Sequence, residues 1–130
     1  MKVQVSFRLS LAMMAALLAP GFVSAQSSAT GPDTSAITPA MVDLGRAIFH
    51  GKGTCFACHG QQLEGSQVAP TLKAHSWRDA KNGQYEEIFR IITHGVPSTV
   101  MVANPGGISR SDAMAVAAYI WSVNKGGAKP

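Results

Sequence analysis

The sequence predicts an all-α domain with long irregular connections, and three observations lead to that prediction. Apolar residues recur at helical spacing in three separate segments between residues 38 and 124. No segment alternates apolar and polar residues in the manner of a half-buried strand. The 13 glycines and 7 prolines lie mainly between the helical segments, where they favour turns.

Length and composition exclude several classes of protein. A chain of 130 residues suffices for one domain of ordinary size and is too short for a large two-domain enzyme. Charged residues make up 14%, well below the roughly 25% of typical soluble domains, which excludes a highly charged disordered chain. The formal net charge of +4 suggests a nucleic-acid or membrane-surface partner only if every basic residue belongs to the mature protein.

The first 25 residues have the pattern of an export signal. A basic start with Lys2 and Arg8 precedes an apolar run over residues 9–19, and small residues lead to Ala25. The rival interpretation is a membrane anchor, but the run is far shorter than the roughly 20 residues that a spanning helix needs. We predict a signal peptide over residues 1–25 and a periplasmic location. Cleavage would remove two basic residues and weaken the case for a nucleic-acid partner.

Residues 26–37 are small and polar, and we interpret them as a flexible leader to a domain over residues 38–130. The first helix is predicted to begin at Thr38, a favoured N-cap, with Pro39 at its first position. Its apolar stripe consists of Met41, Leu44, Ile48 and Phe49. Gly45 lies within this stripe at a cost of about 1 kcal/mol relative to alanine, so we expect another backbone to pass close to it.

The second helix is predicted over Gln84–His94, with Asn82 or Gly83 as its cap. Its apolar face consists of Tyr85, Ile88, Phe89 and Ile92. The third helix is predicted over about 111–124, after Ser109 and Asp112 at the spacing of a capping box. Its apolar face is broad, which implies burial on more than one side.

The predicted helices do not enclose a continuous core by themselves. The loops over residues 61–81 and 96–110 separate them, and loops of this length are uncommon unless they have a function. We therefore expect a bulky apolar group to lie between the loops.

Both cysteines of the chain lie in the sequence C-F-A-C-H over residues 55–59. This matches C-x-x-C-H, the attachment sequence of a c-type haem. Two thiols at this spacing can form thioethers to the two vinyl groups on one edge of the porphyrin. We predict one haem c, attached through Cys55 and Cys58, with His59 as an axial ligand of the iron.

Three other interpretations of the cysteine pair compete with haem attachment. A zinc ribbon would need a second Cys or His pair, and the sequence has no third cysteine. A redox dithiol of the thioredoxin type would follow a strand, and no strand is predicted. A simple disulfide would leave His59 and the long loops without a role.

Residues 41–124 resemble a class I monohaem cytochrome c. The similarity lies in G-x-x-x-F over 45–49, the motif over 55–59, A-P-T-L over 69–72, the Met101 loop and A-Y-I-W over 118–121. The resemblance implies a fold of three to four helices around one covalently bound haem, with the first and last helices crossed at Gly45. It also implies that Phe49 packs near residues 119–121 and that the carbonyl of Pro70 accepts a hydrogen bond from His59.

The residues that could be the sixth ligand of the iron are Met41, Met101, Met114, His50, His75 and His94. Met41 and Met114 lie on apolar helical stripes, where methionine usually fills the core. His50 is too near the attachment motif to reach the other face of the ring. Met101 lies in the loop over 95–107, and the family places its methionine ligand in such a loop.

We therefore favour Met101, with His75 or His94 as bis-histidine alternatives and an open site as the last alternative. One departure from the family concerns the residue after the ligand. Many relatives have proline there, whereas this chain has Val102, which predicts a less rigid loop.

Two further groups of residues have possible roles around the haem. Trp77 or Arg78 is a candidate donor to a haem propionate, the alternative being a packed aromatic and a solvated charge. Lys52 and Lys73 flank the haem segment and are candidates for a weak docking rim toward an acidic redox partner.

With both axial positions filled, the predicted function is periplasmic electron transfer rather than enzyme catalysis. The predicted partners are a redox protein donor and acceptor, with no nucleic acid and with membrane contact only through partner complexes. The chain is expected to be a monomer or a subunit of a redox complex. The alternatives are a dedicated subunit of a periplasmic dehydrogenase or oxidase, and a haem enzyme or sensor with a displaceable sixth ligand.

Overall fold

A computed structural model describes residues 33–73 and 77–130 of the chain. All regular secondary structure in these residues is helical, and no strand occurs among them, as the sequence predicts. The α-helices are α1 (Pro39–His50), α2 (Phe56–His59), α3 (Tyr85–His94) and α4 (Arg110–Asn124). Short 3-10 helices at Thr34–Ala36, Lys81–Gly83 and Pro105–Gly107 lie in the connections.

The predicted signal peptide over residues 1–25 lies outside the described residues, as does the leader up to residue 32. Where the structure begins, Asp33 caps the first 3-10 helix by accepting a hydrogen bond of 2.9 Å from the Ser35 backbone N–H. Over residues 33–73 and 77–130, no helix has both the length and the apolar content that crossing a membrane requires.

Helices α1 and α4 begin directly after the predicted capping residues. Thr38 Oγ1 accepts a hydrogen bond of 3.2 Å from the Met41 backbone N–H at the start of α1. At the start of α4, Ser109 Oγ accepts from the Asp112 backbone N–H at 3.1 Å, and the Asp112 carboxylate accepts from the Ser109 N–H at 2.9 Å. This reciprocal pair is a capping box, so both predicted starts are confirmed.

The start of α3 differs from the prediction. Gln84, with extended backbone, precedes the helix and caps it without a side-chain hydrogen bond. The predicted caps, Asn82 and Gly83, instead have φ values of 59° and 68° in the preceding 3-10 helix. A left-handed residue cannot supply the extended geometry of an N-cap, so the helix begins only after the chain leaves that turn.

The central contact of the fold is the crossing of α1 and α4. A Cβ atom added to Gly45 would overlap the carbonyl oxygen of Ala115 and lie 2.5 Å from its carbonyl carbon. The two helices therefore approach through their backbones, which confirms the expected close contact at Gly45. Phe49, one turn further along α1, is fully buried, and its ring packs edge-on to Tyr119 with centroids 5.6 Å apart.

The rotation of α1 contradicts one part of the predicted apolar stripe. Leu44 is 53% exposed, whereas Val42, Ile48 and Phe49 are buried. Because Gly45 must face α4, the buried face follows the positions around Gly45, and Leu44 turns toward solvent. Helix α3 lies against the other side of α4 and buries all four predicted apolar residues, Tyr85, Ile88, Phe89 and Ile92. The Tyr85 hydroxyl donates to the Met114 carbonyl at 3.2 Å.

The segment before the cysteine motif is tied to the start of α4. Lys52 Nζ lies 2.7 Å from the Asp112 carboxylate, which also accepts the capping-box hydrogen bonds. Nearby, Gly106 packs so closely on the Lys52 carbonyl oxygen that a Cβ atom at position 106 would overlap it. The hydrogen bond from Lys52, followed by those from Ser109, lowers the pKa of Asp112 to about 2.

We predict that Gly45→Ala destabilises the protein by more than about 2 kcal/mol, because the added Cβ forces α1 and α4 apart. Helix propensity alone predicts the opposite sign, a gain of about 1 kcal/mol. The measurement is the free energy of unfolding in urea. Leu44→Ala on the same helix is the control, and because Leu44 is exposed its effect should stay within about 0.5 kcal/mol. A Gly45→Ala variant as stable as the wild type would contradict the backbone contact.

We predict that Asp112→Asn removes a pH-dependent part of the stability. The carboxyl pKa is about 2 in the folded protein and about 3.9 in an unfolded chain, so the charged group stabilises the fold above pH 4. That stabilisation is lost as the pH falls through 2. The difference in unfolding free energy between wild type and Asp112→Asn should therefore shrink between pH 5 and pH 2. Lys52→Gln should reduce the same pH dependence, and a difference that stays constant would refute the pairing.

Candidate functional site

A cavity of about 420 Å³ lies among α3, α4 and the long loops. Its size falls within the range of ligand and cofactor pockets. The helices contribute apolar side chains to its wall, namely Phe49, Ile88, Ile91, Ile92, Val116 and Ile120. The loops add Val68, Leu72, Val96, Val100 and Val102. The cavity thus lies where the sequence leads us to expect a bulky apolar group.

Both cysteines and His59 line this cavity. Cys55 precedes the single turn of α2, so residues i, i+3 and i+4 of that turn lie on one side of it. The backbone N–H of His59 donates to the Cys55 carbonyl at 3.0 Å and closes the turn. Thr54, just before Cys55, has a φ of 53°, which is a strained conformation for a β-branched residue. The motif is therefore held in a compact turn whose reactive atoms share one cavity.

The pKa of the Cys55 thiol is shifted in the opposite direction to that of the reactive thiol in a redox-active dithiol. Both thiols are free, and burial raises the pKa of Cys55 to about 11. Reactive thiols of oxidoreductases have lowered pKa values, because the thiolate is the nucleophile. Within the described residues, no group of three His, Cys, Asp or Glu side chains could hold a metal ion such as zinc. The dithiol and zinc-ribbon alternatives therefore find no support.

The imidazole of His59 is oriented by the loop that follows it. Its Nδ1 lies 2.9 Å from the carbonyl oxygen of Pro70, which leaves Nε2 as the nitrogen available to a metal. Gly65 allows this approach, because a Cβ atom there would lie 2.5 Å from the Thr71 nitrogen. Burial lowers the pKa of His59, although the hydrogen bond to Pro70 opposes part of the shift. The ring is therefore held in the neutral form that binds a metal.

Met101 also lines the cavity, in the loop between α3 and α4. The other candidates for a sixth ligand that the structure describes lie away from the cavity wall. His50 Nδ1 is 3.2 Å from the Gln61 side-chain oxygen, and His94 Nδ1 is 3.0 Å from the Arg90 carbonyl. Met41 and Met114 pack against the core as partly buried side chains. His75 lies outside the described residues.

The remaining predicted site residues divide into two groups. Trp77 and Arg78 line the cavity, where Trp77 lies over Gly83 and Arg78 Nε donates to Asp79 at 2.8 Å. Lys52 and Lys73 do not line it. The charge of Lys52 is paired with Asp112 as described above, which weakens its proposed role in a docking rim.

Sequence reasoning missed Thr99, which shapes the loop around Met101. Gly95, which the sequence predicts as the end of the second helix, is the C-cap of α3. Thr99 lines the cavity, and its hydroxyl hydrogen-bonds to the loop backbone. Every threonine has a carbonyl three residues before it, so the sequence carries no signal that singles out Thr99.

The cavity and its donor set fit a covalently bound haem. Two free thiols at attachment spacing, a neutral imidazole and a thioether line one apolar space. The apolar lining is suited to a flat hydrophobic macrocycle, and the side chains of Arg78 and Trp77 in that lining are donors suited to carboxylates.

Comparisons with known proteins agree with this fit. A family model described as cytochrome C oxidase, cbb3-type, subunit III, matches residues 40–120. No curated protein sequence matches the chain significantly. Cytochrome cL from the marine methylotrophic bacterium Methylophaga aminisulfidivorans is similar in structure, with a TM-score of 0.57 and 24% identity over 65% of this chain and 56% of that one.

Two further solved structures have the same fold. Cytochrome cL from Hyphomicrobium denitrificans gives a TM-score of 0.53 and 25% identity, over 62% of this chain and 45% of that one. A chain of the reducing HAO-like protein complex of Kuenenia stuttgartiensis gives a TM-score of 0.58 and 16% identity, over 71% of this chain and 49% of that one. This chain spans about half the length of each of these structures.

The family match covers α1 to α4 and includes the cysteine motif, and the similar structures carry the same helical fold. The protein therefore belongs to the family described as cytochrome C oxidase, cbb3-type, subunit III, and is a class I c-type cytochrome.

Proposed function

We propose that this protein is a one-electron carrier with a single haem c, attached through Cys55 and Cys58 and bound axially by His59 and Met101. The observation that carries the proposal is that all four side chains line one apolar cavity. The described alternatives for the sixth ligand do not line that cavity, which supports Met101. Electron transfer, rather than catalysis on the iron, follows from two protein ligands, because no position is then vacant for a substrate.

The residues of the chain would hold and orient the cofactor rather than react. The Pro70 carbonyl fixes the ring of His59, and burial keeps that ring neutral. Bound haem supplies one-electron exchange between ferric and ferrous iron. A neutral imidazole and a neutral thioether together favour the ferrous state and raise the reduction potential. Trp77 or Arg78, at the edge of the cavity, is the proposed donor to a propionate.

The proposed location is the periplasm, after removal of residues 1–25, with residues 26–37 as a leader and residues 38–130 as the cytochrome domain. The basic start, the short apolar run and the small residues before the cleavage site support export. In that compartment a pair of cysteines is expected to form a disulfide, bind a metal or serve as an attachment point, and the C-x-x-C-H spacing favours the last of these.

The proposed partners are a redox donor and a redox acceptor that meet the mouth of the cavity. Val68, Val100 and Val102 line the cavity and are 63%, 66% and 61% exposed. Two of the cations near the cavity are paired with carboxylates, Lys52 with Asp112 and Arg78 with Asp79. Docking would therefore depend on apolar contact more than on charge. A permanent partner is the alternative, and it draws on the family description and on the neighbour that is part of a complex.

We predict that Met101→Ala removes the iron–sulfur bond while leaving the covalent haem in place. The ferric wild-type protein should show the weak near-infrared band of sulfur bound to iron, and Met101→Ala should lack it. Reduced Met101→Ala should bind carbon monoxide readily, whereas the wild type should not.

The matched control is Met41→Ala, which removes a thioether that lies away from the cavity and should keep the band. A wild-type protein without the band, or with rapid carbon monoxide binding, would refute the electron-carrier proposal in favour of a haem enzyme or sensor. Size-exclusion chromatography of the native protein separates a free carrier from a dedicated subunit.

A further inference from the structure

We propose that the hydroxyl of Thr99 is the positioning group that holds the Met101 loop closed, in place of the proline that many relatives have after their methionine ligand. The inference rests on the function proposed above, in which Met101 binds the iron. It assigns a role to a residue that does not itself reach the iron. It also explains how the loop keeps one shape although Val102, and not proline, follows Met101.

The Thr99 hydroxyl makes two hydrogen bonds within the loop. It donates to the Val96 carbonyl at 2.8 Å and accepts from the Met101 N–H at 3.1 Å. The Val96 N–H in turn donates to the Met101 carbonyl at 2.9 Å. These bonds join both ends of the segment over residues 96–101. Among the side chains that the structure describes, the Thr99 hydroxyl is the one that bridges them.

The closed segment is fixed to the end of α3. Gly95, with a φ of 72°, packs so closely on the loop that a Cβ atom there would lie 2.5 Å from the Met101 carbonyl oxygen. Further along, the Asn104 N–H donates to the Ile92 carbonyl at 2.8 Å. Met101 therefore lies between two anchor points on one helix, and the remaining freedom of the loop lies in residues 97–100.

Closing this segment has a conformational cost that its hydrogen bonds must offset. Ser98 has a φ of 62°, in the left-handed region, where a residue other than glycine is strained. Without the Thr99 hydroxyl, the Met101 N–H loses its partner and the Val96 carbonyl loses one of its donors. The open form of the loop then gains in population, and the thioether of Met101 leaves its position more often.

A proline after the ligand would restrict the backbone by itself, since its ring fixes φ and limits the residue before it to extended conformations. Val102 imposes neither restriction. The hydrogen bonds of Thr99 act on the same stretch of backbone from the other side of Met101. The structure thus restores by side-chain hydrogen bonding the rigidity that the sequence suggests is missing.

The test compares Thr99→Val, which has the same shape without the hydroxyl, with Thr99→Ser, which keeps the hydroxyl. Imidazole is added to the ferric holoprotein, and loss of the near-infrared sulfur-to-iron band gives the rate of ligand replacement. We expect the rate to rise about tenfold in Thr99→Val, from the loss of two neutral hydrogen bonds, and to stay within about threefold in Thr99→Ser.

The control for a general loss of stability is Thr93→Val. The Thr93 hydroxyl also donates to a backbone carbonyl, that of Phe89 at 3.0 Å, but within α3. Thr93→Val should leave the imidazole rate unchanged. An equal rise in Thr93→Val and Thr99→Val would overturn the inference, as would a Thr99→Val rate equal to that of the wild type.

The experiment separates the two proposals. If the wild type has no near-infrared band, then Met101 is not the ligand and the proposed function fails together with this inference. If the wild type has the band and Thr99→Val exchanges no faster than Thr99→Ser, the proposed function stands and only the role of Thr99 is wrong.

Discussion

The rest of the structure depends on the backbone contact between α1 and α4 at Gly45. Because this position has no Cβ, the two helices approach until the Ala115 carbonyl lies against the α1 backbone. That contact fixes the rotation of α1 about its axis. Phe49 then faces Tyr119 and the cavity, whereas Leu44 faces solvent. A larger residue at position 45 would alter both the helix crossing and one wall of the cavity.

The crossing leaves a space that the helices do not fill. Val116 and Ile120 of α4 contribute to one wall, Ile88 and Ile92 of α3 contribute to another, and the loops complete the enclosure. Side chains that line a cavity lack, on that side, the contacts that stabilise a packed core. A covalently attached macrocycle would supply them, so the group proposed to carry the electron would also complete the hydrophobic core. This accounts for long loops in a domain with so few helices.

The attachment motif and the capping residues could be predicted from the sequence. The rotation of α1 about its axis and the closed shape of the Met101 loop could not. The C-x-x-C-H spacing, the Ser109–Asp112 capping box and the unusual Gly45 each follow from neighbouring residues, so they are visible without a structure. The sequence places Leu44 on the apolar stripe because such a stripe is at least 100° wide and does not specify which of its edges meets the partner helix. The closure at Thr99 depends on the left-handed Ser98, a conformation that serine rarely adopts and that its sequence neighbours do not indicate.

The two proposed axial ligands are positioned by one physical device, a neutral hydrogen bond to the main chain. The Pro70 carbonyl holds the ring of His59, and the Thr99 hydroxyl holds the backbone of Met101. Neither contact adds a charge to the cavity, and each involves a main-chain group. Electron gain or loss at such a site need not move a loop. That condition distinguishes a carrier from a haem sensor, whose signal requires the ligand to leave.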